Sequence, residues 1–477
     1  MADKTLLEEV NERLRELEEK YDLLQYQVDG WCVWPILRPV VAGELLNYPF
    51  IKKEGPSRRK QLLRALKGLS GLFTLRKARY FVKTYSSARM EQEDGLYKDV
   101  FFDDLLVELG NYFKLEAENN NNFLSRSQAA FIKSDLSTAP IDLLTYLLKK
   151  MGGRRDLSIV ASRLSDCLQQ ERELKAFTTQ RVNSYILNFY WQKKVYTWLL
   201  RRVGPKYVLT ADWGEWSINA AAKELGIKII DFQHGSPNRY HYAYSWSAYA
   251  VPYKAQMPIP TRIFLYGEYF EQELKAYDFW NKELCSVGGV RTNQYRKYKA
   301  AYKTSADNST YTMVVTSQGI DVERIIAFLD AFLKLAKGKL ELRLYIKPHP
   351  VYETSKAIYD AAFQADDRVC ILLGSEPPST FELLTRADLN LSIHSSCHFD
   401  ALALGVPTVI LPLTGYERVL PLYESGHAFL AQTPQELLDI VWQSKEQTVP
   451  SEVSKWYCET NALENMKKEL FALAKDG

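Results

Sequence analysis

The chain has few of the features that mark membrane-spanning, disulfide-bonded or metal-holding proteins. No apolar run approaches the roughly 20 residues that cross a bilayer, and the charged start of the chain lacks the apolar core of a signal peptide. The six cysteines are scattered without a CxxC pair, and the six histidines form no HExxH motif. Thiols placed in this way are typical of a reducing compartment. We therefore expect a cytoplasmic protein with no structural metal ion.

A large excess of one charge is also missing. The 61 basic and 58 acidic residues leave a net charge of +3 over 477 residues, so a general nucleic-acid partner is not indicated. Hydrophobic residues make up 46% of the chain, enough to bury large cores. The length predicts two or three domains.

The N-terminal part carries two helical signals. In residues 5–24, apolar residues recur at spacings of three and four, which predicts an amphipathic helix that either packs on its own domain or forms an oligomer contact. Residues 57–84 contain many basic and no acidic residues, interleaved with apolar ones. This segment predicts either a solvated basic face or a helix that rests on an anionic membrane surface.

The rest of the chain alternates strands and helices. Residues 206–210, 216–226 and 227–232 read as a strand–helix–strand unit, and a second series of strands follows. These later strands are predicted at residues 311–317, 340–346, 369–374, 389–393 and 408–413. The pattern predicts two parallel sheets, each doubly wound. Residues 99–115 are predicted as one helix.

Polar residues follow two neighbouring strands of the second series. Lys347-Pro348-His349-Pro350 ends one strand, and Ser392, Ser395 and Ser396 lie at the next strand-to-helix junction. Ligands of open α/β sheets sit beyond the carboxyl ends of strands, and free N–H groups at a helix start attract anions. The sequence therefore predicts a nucleotide-phosphate site, although Ser396 would also serve as an ordinary helix cap.

Carboxylates end two strands of the first series. Asp231 closes a buried strand before Gln233-His234-Gly235, and Asp212 and Glu215 follow the adjacent strand. A carboxylate so placed can form a covalent adduct with an anomeric carbon, or act as a general base toward an acceptor hydroxyl. Glu215 could equally cap the following helix. His234 could hold a donor carboxylate, hold a leaving oxygen or satisfy backbone groups.

These residues resemble the motifs of a known group of enzymes. KPHP followed by S-x-x-SS-x-x-FDALALG-x-P looks like the HP and S/SS motifs of bacterial GT-B transferases, among them polysialyltransferases, Kdo transferases and CDP-glycerol polymerases. The resemblance implies that His349, Ser395, Ser396 and Ser392 bind a cytidine-linked donor. His394 and His398, beside the serines, depart from a close match.

A second resemblance lies in the first series. Residues 226–235, ending in Gln-His-Gly, are similar to the QHG loop of capsule and O-antigen transferases, and LYGEYF…VGGVRTNQY resembles their interdomain region. Together the resemblances cover about residues 205–420. They imply that Asp231 is the nucleophile of a retaining transfer, and that Gln233 and Gly235 shape an acceptor or donor loop.

The combined prediction is an α/β protein of the GT-B type, with two Rossmann-like doubly wound domains facing a cleft and a helical N-terminal extension. The predicted parts are a basic helical extension at 1–80, an acceptor-side domain at 81–300, a nucleotide-sugar domain at 311–450 and a bracing helix at 451–477.

The predicted function is metal-independent transfer of a sugar from a nucleotide donor, with a CMP-sugar such as CMP-Kdo favoured. The acceptor would be a surface polysaccharide or lipid-linked glycan of capsule, O-antigen or lipopolysaccharide synthesis, reached from the inner face of the plasma membrane. No cofactor is expected. Four alternatives stay open: a CDP-glycerol-type glycerophosphotransferase, a UDP-sugar-dependent transferase, a sugar-nucleotide epimerase and a non-catalytic assembly protein.

Overall fold

A computed structural model describes residues 5–46, 58–92, 94–117, 129–152, 155–303, 310–349, 352–374, 376–446 and 448–475. The chain forms two compact units. Unit 1 comprises Met1–Leu265, Phe270–Cys285 and Met466–Gly477, and unit 2 comprises Tyr266–Tyr269 and Ser286–Asn465.

The helices and strands are named here in chain order. The helices are α1 (Leu6–Tyr21), α2 (Trp34–Leu45), α3 (Arg58–Gly68), α4 (Asp103–Leu109), α5 (Ala139–Met151), α6 (Arg155–Leu168), α7 (Thr179–Val203), α8 (Trp216–Glu224), α9 (Glu268–Lys275), α10 (Val290–Lys303), α11 (Val322–Ala336), α12 (Ala357–Phe363), α13 (Thr380–Arg386), α14 (Cys397–Ala403), α15 (Leu420–Glu424), α16 (Pro434–Glu446), α17 (Ser451–Tyr457) and α18 (Ala462–Lys475). The strands are β1 (Gln27–Val28), β2 (Trp31–Cys32), β3 (Tyr80–Tyr85), β4 (Arg89–Glu91), β5 (Tyr97–Asp99), β6 (Tyr112–Ala117), β7 (Leu136–Ser137), β8 (Tyr207–Thr210), β9 (Lys228–Phe232), β10 (Arg262–Leu265), β11 (Leu284–Ser286), β12 (Tyr311–Thr316), β13 (Leu342–Lys347), β14 (Val369–Ile371), β15 (Leu389–Ser392), β16 (Thr408–Ile410) and β17 (Phe429–Leu430). No helix in the described ranges is long and apolar enough to cross a membrane.

Unit 1 is built on a seven-stranded sheet in the order β11-β10-β9-β8-β3-β6-β7. The pairs from β10 to β7 are parallel. From β3 the chain first adds strands on one side through β6 and β7, and then on the other side through β8 to β11. The order therefore reverses between β3 and β8, and in such sheets this switch point is where ligands bind.

The sheet of unit 1 is covered by helices. Phe81 and Phe113 from its strands pack with Leu199 of α7 and Ala221 of α8 in one apolar core. Strand β8 is buried along its whole length, as expected for a parallel strand with both faces covered.

The N-terminal region is helical, as predicted. Helix α1 begins with a capping box in which Thr5 and Glu8 bond each other's backbone N–H groups. Its apolar residues Val10, Leu14 and Leu17 are buried within unit 1. Of the two interpretations of residues 5–24, the structure therefore shows a helix packed on its own domain, and the oligomer contact stays a prediction.

The single helix predicted over residues 99–115 is wrong. Helix α4 ends at Leu109, and strand β6 begins at Tyr112. Gly110, directly after the helix, has a positive φ of 56°, which favours glycine, and its N–H donates to the Leu106 carbonyl. The prediction missed this stop and therefore missed the strand next to β3.

Unit 2 is built on a six-stranded parallel sheet in the order β14-β13-β12-β15-β16-β17. Numbered from β12, this is the order 3-2-1-4-5-6 of Rossmann folds, with the switch point between β12 and β15. The five predicted strands are all present. Together the two sheets confirm the predicted class of two doubly wound Rossmann-like α/β domains.

The predicted C-terminal helix over 451–477 is two helices. Helix α17 ends at Tyr457, and α18 begins at Ala462 after Asn461, which has a positive φ of 58°. The residues from Met466 onward belong to unit 1, where the Leu470 carbonyl accepts a hydrogen bond from the Tyr207 hydroxyl.

Candidate functional sites at the strand ends

The switch point of unit 1 holds a buried ion pair. Lys83 and Tyr85, near the end of β3, both donate to the Glu215 carboxylate, which follows β8. Glu215 occupies the N-cap position of α8, but its side chain makes no capping hydrogen bond. The interpretation of Glu215 as a helix cap is therefore wrong. Its carboxylate is already bound by a cation and a hydroxyl.

Asp231 lies one strand away, in β9, and is almost completely buried. The Thr210 hydroxyl donates to its Oδ1 at 3.1 Å, and the Tyr244 hydroxyl donates to its Oδ2 at 3.2 Å. Burial raises the pKa of Asp231 to about 8, because removal from water penalises the charged form more than these hydrogen bonds favour it. The nearby Asp212 also raises this pKa.

The loop after Asp231 is fixed from within. Gln233 is buried, and its side-chain amide donates to the Gly235 carbonyl at 2.9 Å. Gly235 has a φ of +73°, a conformation that favours glycine, and it is exposed. His234 is exposed, and its Nδ1 lies 3.1 Å from the Ala211 carbonyl.

Asp212 completes this group of predicted residues. It is half-buried in the turn after β8, where its Oδ1 accepts the Gly214 N–H at 2.9 Å. The structure therefore brings Asp212, Glu215, Asp231 and His234 to the carboxyl ends of the adjacent strands β8 and β9.

The switch point of unit 2 carries hydroxyl groups from both strands. The buried Ser392 donates to the Thr316 carbonyl at 2.6 Å, which links β15 to β12 and leaves Ser392 a structural role. Ser395 is buried and accepts the Cys397 N–H at 3.2 Å. Ser396 is exposed at the start of α14, and its side chain makes no capping hydrogen bond.

His349 lies beyond the end of β13 and is held by its neighbours. Its backbone N–H donates to the Glu353 carboxylate at 2.9 Å, and its ring stacks on Tyr352 with 4.4 Å between centroids. Glu353 also accepts the Ser317 hydroxyl, which follows β12, at 3.0 Å. One carboxylate therefore ties the ends of β12 and β13 together. Pro350, the second proline of the predicted motif, lies outside the described residues.

Lys347, predicted to bind the nucleotide phosphate, is occupied by other partners. Its ammonium donates to the carbonyl oxygens of Leu373, Glu376 and Pro378, and the side chain is buried. An ammonium has three donors, and all three are used within the protein. In this structure Lys347 therefore anchors the loop after β14 and has no donor left for a phosphate.

The two histidines beside the serines differ in burial. His398 is fully buried, with its Nδ1 2.6 Å from the Thr408 hydroxyl, which also accepts the Asn390 amide. His394 is half-buried beside Gly415. Burial lowers the pKa of both to about 4, so both rings are uncharged at neutral pH. This fits a structural role.

Sequence reasoning missed several residues of these sites. Ser317 carried a usable signal, because it directly follows β12, the first strand of its series. Glu353 and Tyr244 carried none, because each reaches its partner through a loop whose path the sequence does not specify. Lys83 and Tyr85 were overlooked because the pairing of β3 with β8 joins residues more than a hundred positions apart.

Comparisons with known proteins add little to this description. No protein-family model and no curated protein matches the chain. Solved structures of similar shape include the UDP-GlcNAc 2-epimerase of Neisseria meningitidis bound to UDP-GlcNAc, at 14% identity and a TM-score of 0.48, covering 83% of this chain and 100% of that one. The wall teichoic acid polymerase TagF matches at 10% identity and 0.47, covering 88% and 98%. MurG of Acinetobacter baumannii matches at 11% and 0.46, covering 83% and 99%. At these values, the fold assignment rests on the strand orders of the two sheets.

Proposed function

We propose that this protein is a GT-B glycosyltransferase that uses a nucleotide-activated sugar. The observation that carries the proposal is that the switch points of both units hold side chains able to bind or react with a donor. Unit 2 has serine hydroxyls and His349 beyond β12, β13 and β15, where a Rossmann-like sheet binds a nucleotide. Unit 1 has a buried carboxyl, Asp231, beside further carboxylates. A site for an activated-sugar donor and a carboxyl group that can act as nucleophile or general base suit such a transferase.

The donor is proposed to be a CMP-sugar such as CMP-Kdo. Its phosphate would take hydrogen bonds from Ser395, Ser396 and His349, as the resemblance to the HP and S/SS motifs implies. The cytosine base and the Kdo sugar are proposed from that resemblance alone, so the experiment compares several nucleotides.

Thermal unfolding with CMP, CDP, UDP and GDP tests this donor site. A ligand that binds only the folded protein raises the melting temperature, and at equal concentrations the tighter ligand gives the larger rise, so CMP should give the largest one. Ser395→Ala/Ser396→Ala should remove most of the rise. Ser451→Ala, an exposed serine at the start of α17, should leave it unchanged. A protein that none of the four nucleotides stabilises would have no donor site of this kind.

Asp231 is proposed to be the nucleophile of a retaining transfer. Its carboxylate oxygen would form a bond to the anomeric carbon while the bond from that carbon to the phosphate oxygen breaks. The acceptor hydroxyl then displaces the carboxylate. Because a pKa of about 8 keeps most of the Asp231 carboxyl protonated at pH 7, we expect adduct formation to speed up as the pH rises toward 8.

Intact-mass spectrometry after incubation with CMP-Kdo tests the adduct. The wild type should gain the mass of one sugar, and Asp231→Ala should gain none. Asp330→Asn, an exposed carboxylate on α11, is the matched control and should still form the adduct. A sugar-sized adduct in Asp231→Ala would exclude Asp231 as the nucleophile.

We further propose that unit 1 rests on an anionic membrane surface through α3, the short 3-10 helix after it and α5. Helices α3 and α5 pack on each other, and this region exposes seven large apolar side chains, Phe73 at 89% and Met151 at 84% among them. The others are Leu62, Leu63, Leu66, Tyr146 and Leu147. Leu62, Leu63, Leu66 and Phe73 lie within residues 57–84, which contain many basic and no acidic residues, and Lys149 and Lys150 precede Met151. Apolar side chains with basic neighbours fit an anionic lipid interface.

Flotation with anionic and with zwitterionic liposomes tests this surface. The wild type should float with anionic vesicles only, and Leu62→Gln/Leu63→Gln/Leu66→Gln should lose flotation. Val251→Gln/Phe471→Gln changes two other exposed apolar residues of unit 1 and should float like the wild type. Equal flotation of the wild type and the triple variant would contradict the proposal.

A further inference from the structure

The turn between β8 and α8 presents an aromatic ring next to the carboxylates. Trp213 lies between Asp212 and Glu215 and is half-buried. Its ring packs against that of Tyr242, with 5.2 Å between centroids and 84° between planes, and against that of His241, with 5.8 Å and 69°. Gly214, the next residue, is exposed. Among the described residues, the indole N–H has no hydrogen-bond partner.

The imidazole ring of His241, which packs against Trp213, is itself uncharged and fixed. His241 accepts the Ala243 N–H through its Nδ1 at 3.2 Å, and burial lowers its pKa to about 4. Trp213 is therefore a partly exposed apolar surface, held in place beside the half-buried carboxylate of Asp212. A flat aromatic face with polar groups beside it matches the two faces of a sugar ring, which has C–H groups on one side and hydroxyls at its rim.

His234 contributes a basic nitrogen to the same strand ends. A carbonyl oxygen only accepts hydrogen bonds, so the 3.1 Å contact between Nδ1 and the Ala211 carbonyl places the proton on Nδ1. In the neutral ring Nε2 then carries the lone pair. The side chain is exposed, and Phe101 lies against its ring at 5.7 Å between centroids. The Ala211 carbonyl that orients His234 is two residues from Trp213.

We propose that Trp213 and His234 form the acceptor-sugar subsite of unit 1. The acceptor sugar stacks on the indole, and Nε2 of His234 takes the proton of the attacking hydroxyl as its oxygen bonds to the anomeric carbon. The electron pair of the broken bond leaves with the Asp231 carboxylate in a retaining transfer, or with the donor phosphate in a direct displacement. This inference rests on the proposed transferase function and adds the acceptor class, a free glycan hydroxyl held without a nucleotide.

A glycan array of bacterial surface oligosaccharides tests the stacking surface without any donor. Labelled wild-type protein should bind a subset of the array, Trp213→Ala should lose at least tenfold of that signal, and Trp213→Phe should keep most of it. Trp198→Ala removes another partly exposed tryptophan of unit 1 and should bind like the wild type. A wild type that binds no oligosaccharide, or binding that survives Trp213→Ala, overturns the subsite.

Two substitutions of His234 separate its chemistry from its structural bond. His234→Asn keeps an N–H donor near the position of Nδ1 but has no base at Nε2, whereas His234→Ala loses both. Both variants should keep array binding and lose transfer from CMP-Kdo by about 10²–10⁴-fold, the usual effect of removing a general base. Added imidazole should restore part of the activity of His234→Ala. Wild-type transfer by His234→Asn would overturn the proton-acceptor role.

The two sets of measurements distinguish the proposals. If no nucleotide shifts the melting temperature but array binding depends on Trp213, the transferase proposal and the proton-acceptor role of His234 fail, and the sugar-stacking surface at Trp213 stands. If CMP stabilises the protein but the array shows no dependence on Trp213, the donor site stands and the subsite fails.

Discussion

At the scale of single residues, burial decides the chemistry of the two groups that matter most in unit 1. Asp231 and Glu215 lie near the carboxyl ends of the adjacent strands β9 and β8. The Asp231 carboxyl is bound by the Thr210 and Tyr244 hydroxyls and the Asp212 backbone, whereas Glu215 is bound by the Lys83 cation. An adjacent cation offsets part of the cost of burying a carboxylate. Asp231 lacks that compensation, and its pKa therefore rises to about 8.

The raised pKa of Asp231 makes stability depend on pH. Below about pH 4 the carboxyl is protonated in both the folded and the unfolded chain. Between about pH 4 and pH 8 the unfolded chain releases this proton and the folded chain keeps it, so the free energy of unfolding falls as the pH rises, by up to about 1.4 kcal/mol per pH unit. Asp231→Asn removes this loss. We expect its melting temperature, relative to that of the wild type, to increase steadily from pH 5 to pH 8.

Differential scanning calorimetry across this pH range measures the effect, with Asp330→Asn as the control carboxyl on the surface. If the difference between the melting temperatures of the wild type and Asp231→Asn does not change with pH, Asp231 has the same pKa in the folded and the unfolded protein.

The Lys83–Glu215 pair gives a second expectation at this scale. Lys83→Met leaves the Glu215 carboxylate buried without its cation, which should cost about 3–5 kcal/mol of unfolding free energy. Lys83→Met/Glu215→Gln should recover much of that loss, because the buried charge is gone. Lys334→Met breaks an exposed pair with Asp330 and should change stability by less than about 1 kcal/mol. Urea unfolding measures the free energy of unfolding of all three variants. Equal losses in Lys83→Met and Lys334→Met would contradict the role of burial.

At the scale of elements, the sequence was informative where a strand and its helix are both regular. Strands β8, β9, β12, β13 and β15 and the helices between them follow the predicted pattern closely. Helix and strand were confused at residues 99–115, because apolar residues on both sides of Gly110 read as one periodic run. Ser392, Ser395 and Ser396 were predicted as site residues because they lie at the junction between β15 and the helix after it. Tyr244 and Glu353 were missed because their contacts depend on tertiary structure that local patterns do not encode.

Helix α13 offers a clean test of an element that local sequence does specify. Ser379 and Glu382 form a capping box at its start. Ser379→Ala should lower the unfolding free energy by about 1 kcal/mol, and Ser379→Asp should retain most of the stability, because aspartate is an equally good cap. Denaturant unfolding compares the three proteins. An Asp variant as unstable as the Ala variant would show that the hydroxyl acts in another way.

At the scale of the whole molecule, both units use the same order of strands. In each, the first strand of its sheet lies beside the fourth, and polar residues gather where these two strands end. The difference lies in chemistry: unit 2 presents mainly hydroxyls and a histidine, whereas unit 1 presents carboxylates. This division is what the transferase proposal needs from a donor half and an acceptor half.

Hydrogen–deuterium exchange with CMP should reveal this division. Protection on CMP binding is expected at residues 316–319, 349 and 392–397 in unit 2, and none at residues 207–212 of unit 1. The Ser395→Ala/Ser396→Ala variant serves as the control and should show no protection at the same concentration. Protection confined to unit 1 would contradict the assignment of the nucleotide to unit 2.

The path of the chain has a consequence for how this protein is made. The backbone passes from one unit to the other four times, at residues 265–266, 269–270, 285–286 and 465–466. Unit 1 therefore includes a separate segment from Met466 onward, whose carbonyls accept hydrogen bonds from Tyr207 and Lys228. Every residue of unit 2 is synthesised before that segment. On the ribosome, unit 1 is begun before unit 2 and completed after it. A single cut in the gene therefore yields neither unit intact.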